Sequence, residues 1–248
     1  SGMDLKAFAA GGPPKGFDQF LETGSKKPLI AAIEGFALAG GLEVALTCDL
    51  LVAAKDAKIG IREVKVGLFA AGGALLRLPR RLPYSVAMEM ALTGQPITSD
   101  EAKNYGLVSR VTDNGGTIDA ALELAEQIAE NAPLAVAASK ALIQAQQGIT
   151  EEEFWELQKP HMVKVFTSND AKEGPASFAE KRSPNGQGRR SKNSSTKGEN
   201  MKLAMLLPYS NRFSEAVDRV VQLEKAGLDL IYVPEAYAAD AVSAMGYL

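Results

Sequence analysis

Two carboxylates and a pair of glycines carry the chemistry that can be read from this sequence. In KPLIAAIEGFALAGGLEVALTCDLLVA (27–53) an apolar run leads into Gly40-Gly41, which opens a helix, and Glu43 follows within the first turn. Glycines there let a ligand approach the backbone closely. The free N–H groups of a helix start present partial positive charge, suited to an oxygen that becomes negative during a reaction. A carboxylate one turn away can then act on a water or a carbon beside that oxygen. The plainer alternative is that Gly-Gly only permits tight packing and Glu43 only favours the helix dipole. A second acid, Glu63, stands in IGIREVKVGLFAAGGALLRLP (59–79), where a short strand gives way to the Gly-rich loop Gly67–Gly73. Alone it reads as a solvated surface acid. Paired with Glu43 and an anion-binding backbone, it allows acid/base chemistry without histidine.

Two scarcities sharpen that reading. His161 is the only histidine, follows a Lys159-Pro160 step and lies far from any nucleophile motif. It reads as a helix-surface or interface residue, so a Ser-His-Asp centre has no support and a multi-histidine metal site is excluded. The single cysteine, Cys48, lies in an apolar stretch and reads as a buried structural thiol; no internal disulfide is possible. No metal site is expected. The chain has 248 residues, 46% of them hydrophobic, enough for one large domain or two small ones. Its richest apolar stretch (ALAGGLEVAL, 37–46) is too short to span a bilayer and contains Glu43. No secretory signal opens the chain, so a cytoplasmic location is expected, with no membrane partner. The net charge of −3 gives no general case for nucleic acid as a partner.

The elements that must position these acids follow from the periodicity. PLIAAI (28–33) reads as a buried strand, Gly40–Thr47 as a short helix and DLLVAA (49–54) as a second strand. Short strands are expected near Lys58–Gly60 and Arg62–Val64. From Gly72 the pattern turns helical, interrupted by a strand at LVSRVT (107–112). Ile118–Asn131 and Pro133–Gln147 read as amphipathic helices, and Thr150-Glu151-Glu152-Glu153 is a capping-box signature that opens another. Strands and helices alternate early and helices dominate late, which implies α/β with a helical C-terminal part.

These same stretches resemble, closely and in order, the crotonase (enoyl-CoA hydratase/isomerase) superfamily. AIEGFALAGGLEVALTCD is similar to its strand–GG–helix segment, and IGIREVKVGLFAAGGALLRLPR to its second glutamate segment. ALTGQPITSDEAKNYGLVSRV (91–111) and FAEKRSPN (178–185) are similar to the start of its helical region and its usual C-terminus. Ser1-Gly2-Met3-Asp4-Leu5-Lys6 resembles its Ala-Gly-x-Asp-Leu-Lys motif. The resemblance implies a crotonase-like (ClpP/crotonase) spiral of ββα units with a helical C-terminal part over residues 1–185. It implies an acyl-CoA thioester substrate and an oxyanion hole made by the backbone N–H groups of Met3 and Gly40. Glu43 and Glu63 would hold one water over the enoyl double bond, Glu63 delivering a proton to the α-carbon and Glu43 orienting or activating the water. Having both acids points to a hydratase rather than an isomerase. Gly2, Asp4, Ala39, Gly41, Leu68 and Phe69 become candidate substrate contacts; for Leu68 and Phe69 ordinary loop packing is the alternative. Lys6 could approach the nucleotide end of CoA. No cofactor beyond the CoA thioester is implied, and relatives of this kind are commonly trimers or dimers of trimers. Ile61-Arg62 before Glu63 and Leu68–Gly73 after it depart from the family's usual Gln-Pro and Pro-Gly-rich segments, which leaves acyl preference open.

Both ends depart from the family. Its usual βαβ-rich opening segment is absent before Ser1. From Ser183 onward, SPNGQGRRSKNSSTKGEN has no large apolar residue, and residues 186–200 read as a linker. Residues 201–248 then restart at Met201: KLAMLLP (202–208) as a strand, Ser214–Ala226 as a helix, Gly227 as its stop and LDLIYVPE (228–235) as a strand. This part resembles the opening of a luciferase-like flavin- or deazaflavin-dependent oxidoreductase, an incomplete (β/α)8-barrel opening too short to hold a cofactor site. Codons able to encode Lys197–Asn200 include a purine-rich run like a bacterial ribosome-binding site, so a fusion of two adjacent genes is expected, with a catalytically silent product as one outcome.

Overall fold

A computed structural model describes residues 17–182 and 184, together with the backbone of residues 203–206 and 228–232. The chain divides into two compact units. The first takes Leu29–Leu122 and sequence from both ends; the second takes Lys26–Pro28 and Glu123–Met201.

The first unit opens with α1 (Phe17–Thr23), β1 (Ile30–Ile33), β2 (Phe36–Leu38) and α2 (Gly40–Thr47), followed by β3 (Leu50–Ala54) and β4 (Lys58–Gly60). A 3-10 turn covers Glu63–Val66; then come α3 (Ala74–Arg81), α4 (Tyr84–Thr93), β5 (Ile97–Thr98), α5 (Ser99–Asn104) and β6 (Arg110–Thr112). α6 (Thr117–Ala129) carries the chain into the second unit, which contains α7 (Pro133–Ala145), α8 (Glu151–Phe166) and α9 (Asn169–Ala179). The two remaining strands, β7 (Leu203–Leu206) and β8 (Leu228–Tyr232), pair in parallel. β7 lies beside β1.

The strands sort by their place in a repeat. β1 and β3 are parallel neighbours in one sheet, Ile30 opposite Leu50, with β6 on the far side of β3. β2 and β4 are parallel neighbours in a second sheet, Phe36 opposite Lys58, with β5 antiparallel at its edge. Each ββα unit thus sends its first strand to one sheet and its second to the other. All four β1 residues are buried, as are Leu51–Ala54 of β3, which explains unbroken apolar runs where a half-exposed strand would alternate. Leu42 and Leu46 of α2 pack with Leu51, Ile59, Leu78 and Met90 in one core. Asp49 accepts the Leu29 N–H at 2.7 Å, and Arg81 donates to the Cys48 carbonyl at 2.9 Å, bracing the exit of α2. Cys48 itself is buried, as expected, and His161 lies half-buried within α8.

Two expectations are corrected. Arg62–Val64 is not a strand: Glu63–Val66 coils into the 3-10 turn, closed by Gly67 at φ 78° with Leu68 N–H donating to the Glu63 carbonyl at 3.0 Å. Alternation in Glu-Val-Lys-Val mimics a strand, but a left-handed glycine lets the chain turn back. At LVSRVT only Arg110–Thr112 is a strand. Leu107 and Val108 instead donate to the Ala102 carbonyl and close α5 with their side chains buried. The Thr150 capping box is present as read, and a second one at Thr98 opens α5. The 186–200 segment and the Ser214–Ala226 helix lie outside the described residues; β7 and β8 fall within the two strands expected on either side of that helix.

The start of α6 is held from a distance in sequence. Glu34 accepts from the N–H groups of Gly115 at 2.8 Å and Thr117 at 3.1 Å, and from the Thr117 hydroxyl. Thr117 is fully buried, so losing the acceptor strands a buried donor. Glu34→Ala should cost about 2 kcal/mol, read as a lower urea midpoint with an unchanged slope.

Candidate functional site

α2 begins under strain. Ala39, its N-cap, has φ 52° and ψ −130°, a conformation costing a non-glycine residue about 1–3 kcal/mol. It is pinned from both sides: its N–H donates to the Gly60 carbonyl at 2.9 Å, and its own carbonyl accepts from Leu42 at 2.9 Å and Glu43 at 3.2 Å. The sharp corner starts the helix at Gly40-Gly41, whose N–H groups have no carbonyl one turn earlier to bond. The backbone donors expected of Gly40 and Gly41 therefore stand at an unsatisfied helix start.

Glu43, one turn on, is buried at 6% exposure. Its Oε1 accepts the Ala74 N–H, the first of α3, at 3.2 Å. Gly72 closes over its other oxygen so tightly that an added Cβ would lie 2.5 Å from Oε2. Burial pushes the carboxyl above its usual range; the Ala74 N–H opposes this, the nearby Glu63 charge adds to it, and the Gly72 N–H and the Arg77 guanidinium oppose it again. The net direction is upward: this carboxyl binds its proton more tightly than an exposed one.

The 3-10 turn brings Glu63 into electrostatic range of Glu43. Glu63 is half-buried, and its Oε2 is a buried oxygen that accepts no hydrogen bond from the described residues. Two acids twenty residues apart thus come within electrostatic range of each other, one held by backbone N–H groups and the other with a buried oxygen that accepts no bond from the described residues. Leu68 (44% exposed) and Phe69 (67%) follow on the same loop with apolar surface in the open. Ala39, Gly40 and Gly41 are placed at the helix start as described; Gly2, Met3, Asp4 and Lys6 lie outside the described residues. Among the described residues no cluster could hold a metal ion, and no helix is long and apolar enough to cross a membrane.

Sequence reasoning missed Gly72, Ala74 and Arg77. A signal existed: Gly72-Gly73 before α3 repeats the Gly40-Gly41 arrangement before α2, and Arg77 is a single cation in the otherwise apolar run ALLRLP.

A family profile described as enoyl-CoA hydratase/isomerase matches residues 2–189. The chain belongs to the enoyl-CoA hydratase/isomerase family. An enoyl-CoA hydratase of Mycobacterium tuberculosis (strain ATCC 25618 / H37Rv) is 44% identical over 201 residues, covering 76% of this chain and 75% of the relative. A carnitinyl-CoA dehydratase of Proteus mirabilis (strain HI4320) is 41% identical over 200 residues, covering 76% and 77%. The crystal structure of an enoyl-CoA hydratase from Mycobacterium marinum superposes with a TM-score of 0.70 at 51% identity, over 74% of each chain. The fold is therefore crotonase-like α/β, in a family of enzymes.

The raised Glu43 carboxyl has a sign that can be checked. Folding binds a proton at a group whose folded value lies above the unfolded one. Its stabilising contribution is complete below the unfolded value of 4.5 and is lost as pH rises through the folded value. Glu43→Gln keeps an acceptor for the Ala74 N–H but never charges. It should raise the melting temperature relative to wild type at pH 8, with the gain shrinking toward pH 4, as followed by scanning calorimetry.

Proposed function

We propose that this chain is an enoyl-CoA hydratase that adds water syn across the double bond of a trans-2-enoyl-CoA to give a 3-hydroxyacyl-CoA. The observation that carries the reading is the pair Glu43 and Glu63. One is a buried carboxylate with raised proton affinity; the other has a buried oxygen that accepts no bond from the described residues. Such a pair can hold one water between two acceptors. Glu43, the stronger base for being buried, takes a proton from the water as its oxygen bonds to the β-carbon. Glu63 gives a proton to the α-carbon, and the proton taken up by Glu43 returns to Glu63, so the elements of one water are added and both acids are restored. Charge drawn onto the thioester oxygen is met by the N–H of Gly40 at the α2 start and that of Met3. Losing one such donor typically costs about 3 kcal/mol of transition-state stabilisation. The exposed apolar side chains of Leu68 and Phe69, beside Glu63 in sequence, suit the acyl chain.

On this reading the CoA thioester is substrate and no metal or redox cofactor takes part. The enzyme works in the cytoplasm of a bacterium, as a homotrimer or dimer of trimers. Trp155, Val163 and Phe166 of α8 and Phe178 of α9 are each more than half exposed, apolar surface that assembly would cover. Residues 1–185 form the crotonase-like domain, 186–200 a linker, and 201–248 the opening of a luciferase-like barrel, for which the parallel pairing of β7 and β8 is the support.

A second reading rests on the 41% identity to a protein named carnitinyl-CoA dehydratase. Loss of water from carnitinyl-CoA is the same chemistry run in reverse on a substrate with a quaternary ammonium group. The test is loss of the enoyl-thioester absorbance when the purified chain meets crotonyl-CoA, beside water loss from carnitinyl-CoA. The hydratase reading expects turnover of crotonyl-CoA that Glu63→Gln and Glu43→Gln each lower by about a thousandfold. An isomerase would tolerate Glu43→Gln far better. Preferred turnover of carnitinyl-CoA would favour the second reading, and no turnover of either would point to a silent fusion product.

A further inference from the structure

One arginine braces the turn that packs on Glu43. Arg77, in the first turns of α3, donates from one guanidinium nitrogen to the Gly72 carbonyl at 3.3 Å and from the other to the Leu21 carbonyl of α1. The turn between them is closely filled on both sides. Gly73 lies at φ 102°, and an added Cβ there would fall 2.2 Å from the Arg77 guanidinium nitrogen. An added Cβ on Gly72 would meet Glu43 instead, at 2.5 Å. The Gly72-Gly73 turn is thus clasped between a carboxylate and a guanidinium, and it delivers the Ala74 N–H to Glu43.

We propose that Arg77 is a positioning residue for Glu43: by tying the Gly72 carbonyl to α1 it holds the turn that presents the Ala74 N–H, and it places a cation near a carboxylate that burial would otherwise disfavour. The inference deepens the hydratase reading, because it assigns to Arg77 the readiness of the proposed water-activating base. Burial is the main pressure on both partners, raising the Glu43 carboxyl and lowering the Arg77 guanidinium, and the attraction between them opposes each shift. The other charges in question are few. Glu63 on the 3-10 turn acts on Glu43 in the opposite sense, and Arg80 acts on Arg77. α1, which packs on α2, carries the exposed Glu22. β2, which also packs on α2, carries no charged residue.

The test uses the full chain with Arg77→Met and Arg77→Lys. Glutamate is labelled with carbon-13, and the Glu43 carboxyl resonance is identified by its loss in Glu43→Gln. In Arg77→Met the Glu43 titration midpoint should rise by about half a unit or more, since a neutralising charge and a held donor are both lost. Lysine keeps the charge but cannot fork to two carbonyls, so Arg77→Lys should fall between. In the crotonyl-CoA assay the acidic limb of kcat/KM should move upward with the same midpoint, kcat falling about tenfold with KM nearly unchanged. A Glu43 midpoint that stays put in both variants overturns the proposal, even if activity falls. If Arg77→Met does not fold, the midpoint in Arg77→Lys decides by the same criterion. A wild-type chain without hydratase activity would defeat the hydratase reading alone, because the titration of Glu43 needs no turnover.

Discussion

Burying the Glu43 carboxylate is the constraint from which the rest of the site follows. An ionised carboxylate taken out of water needs donors and counter-charge, or it neutralises. Here the donors are backbone N–H groups at the start of α3, and the counter-charge is Arg77. Supplying them requires the α3 start to come within bonding distance of α2. That in turn favours glycine where the turn closes over the Glu43 carboxylate, at Gly72, and where the chain must turn left-handed beside a guanidinium, at Gly73. The donors fall short of full compensation, and the carboxyl remains raised. That residual cost leaves Glu43 with a higher proton affinity than a surface glutamate, and the same burial destabilises the folded chain at neutral pH.

The two-sheet arrangement supplies the rigidity this needs. α2 and the 3-10 turn each follow a strand of the second sheet, β2 and β4, which lie side by side in register. Glu43 and Glu63 therefore emerge from equivalent places in consecutive ββα units, which is why residues far apart in sequence meet. Ala39 reports the same constraint: its strained backbone is tolerated because a bond to Gly60, at the end of β4, holds it there. A helix start fixed this way keeps its unbonded N–H groups aimed in one direction.

The relatives divide between a hydratase and a dehydratase at nearly the same identity, 44% and 41%. Hydration and dehydration of one substrate are the two directions of a single reaction, so both names describe the same kind of chemistry. In this chain the segment Leu68–Gly73 departs from the Pro-Gly-rich pattern of the family, and its large apolar members are exposed. Leu68 and Phe69 can vary without touching the clasp around Glu43, which depends on Gly72, Gly73 and Arg77.

Much was legible in the sequence because local rules express it locally. The buried strands showed as unbroken apolar runs, the opening of α8 showed as a capping box, and the helix start at Gly40-Gly41 placed Glu43 in its first turn. Local pattern failed where a single backbone angle outweighed it: the left-handed Gly67 turned an alternating Glu-Val-Lys-Val stretch into a 3-10 turn. The sequence by itself determined which residues could do acid/base chemistry, and that a multi-histidine metal site could not form. Only the tertiary structure decided that Glu43 is buried, that Ala74 and Gly72 reach it, that Arg77 stands behind them and that one Glu63 oxygen is buried without a bond among the described residues. Proton affinity depends on burial and on charges brought close in space, and neither is a property of neighbours along the chain.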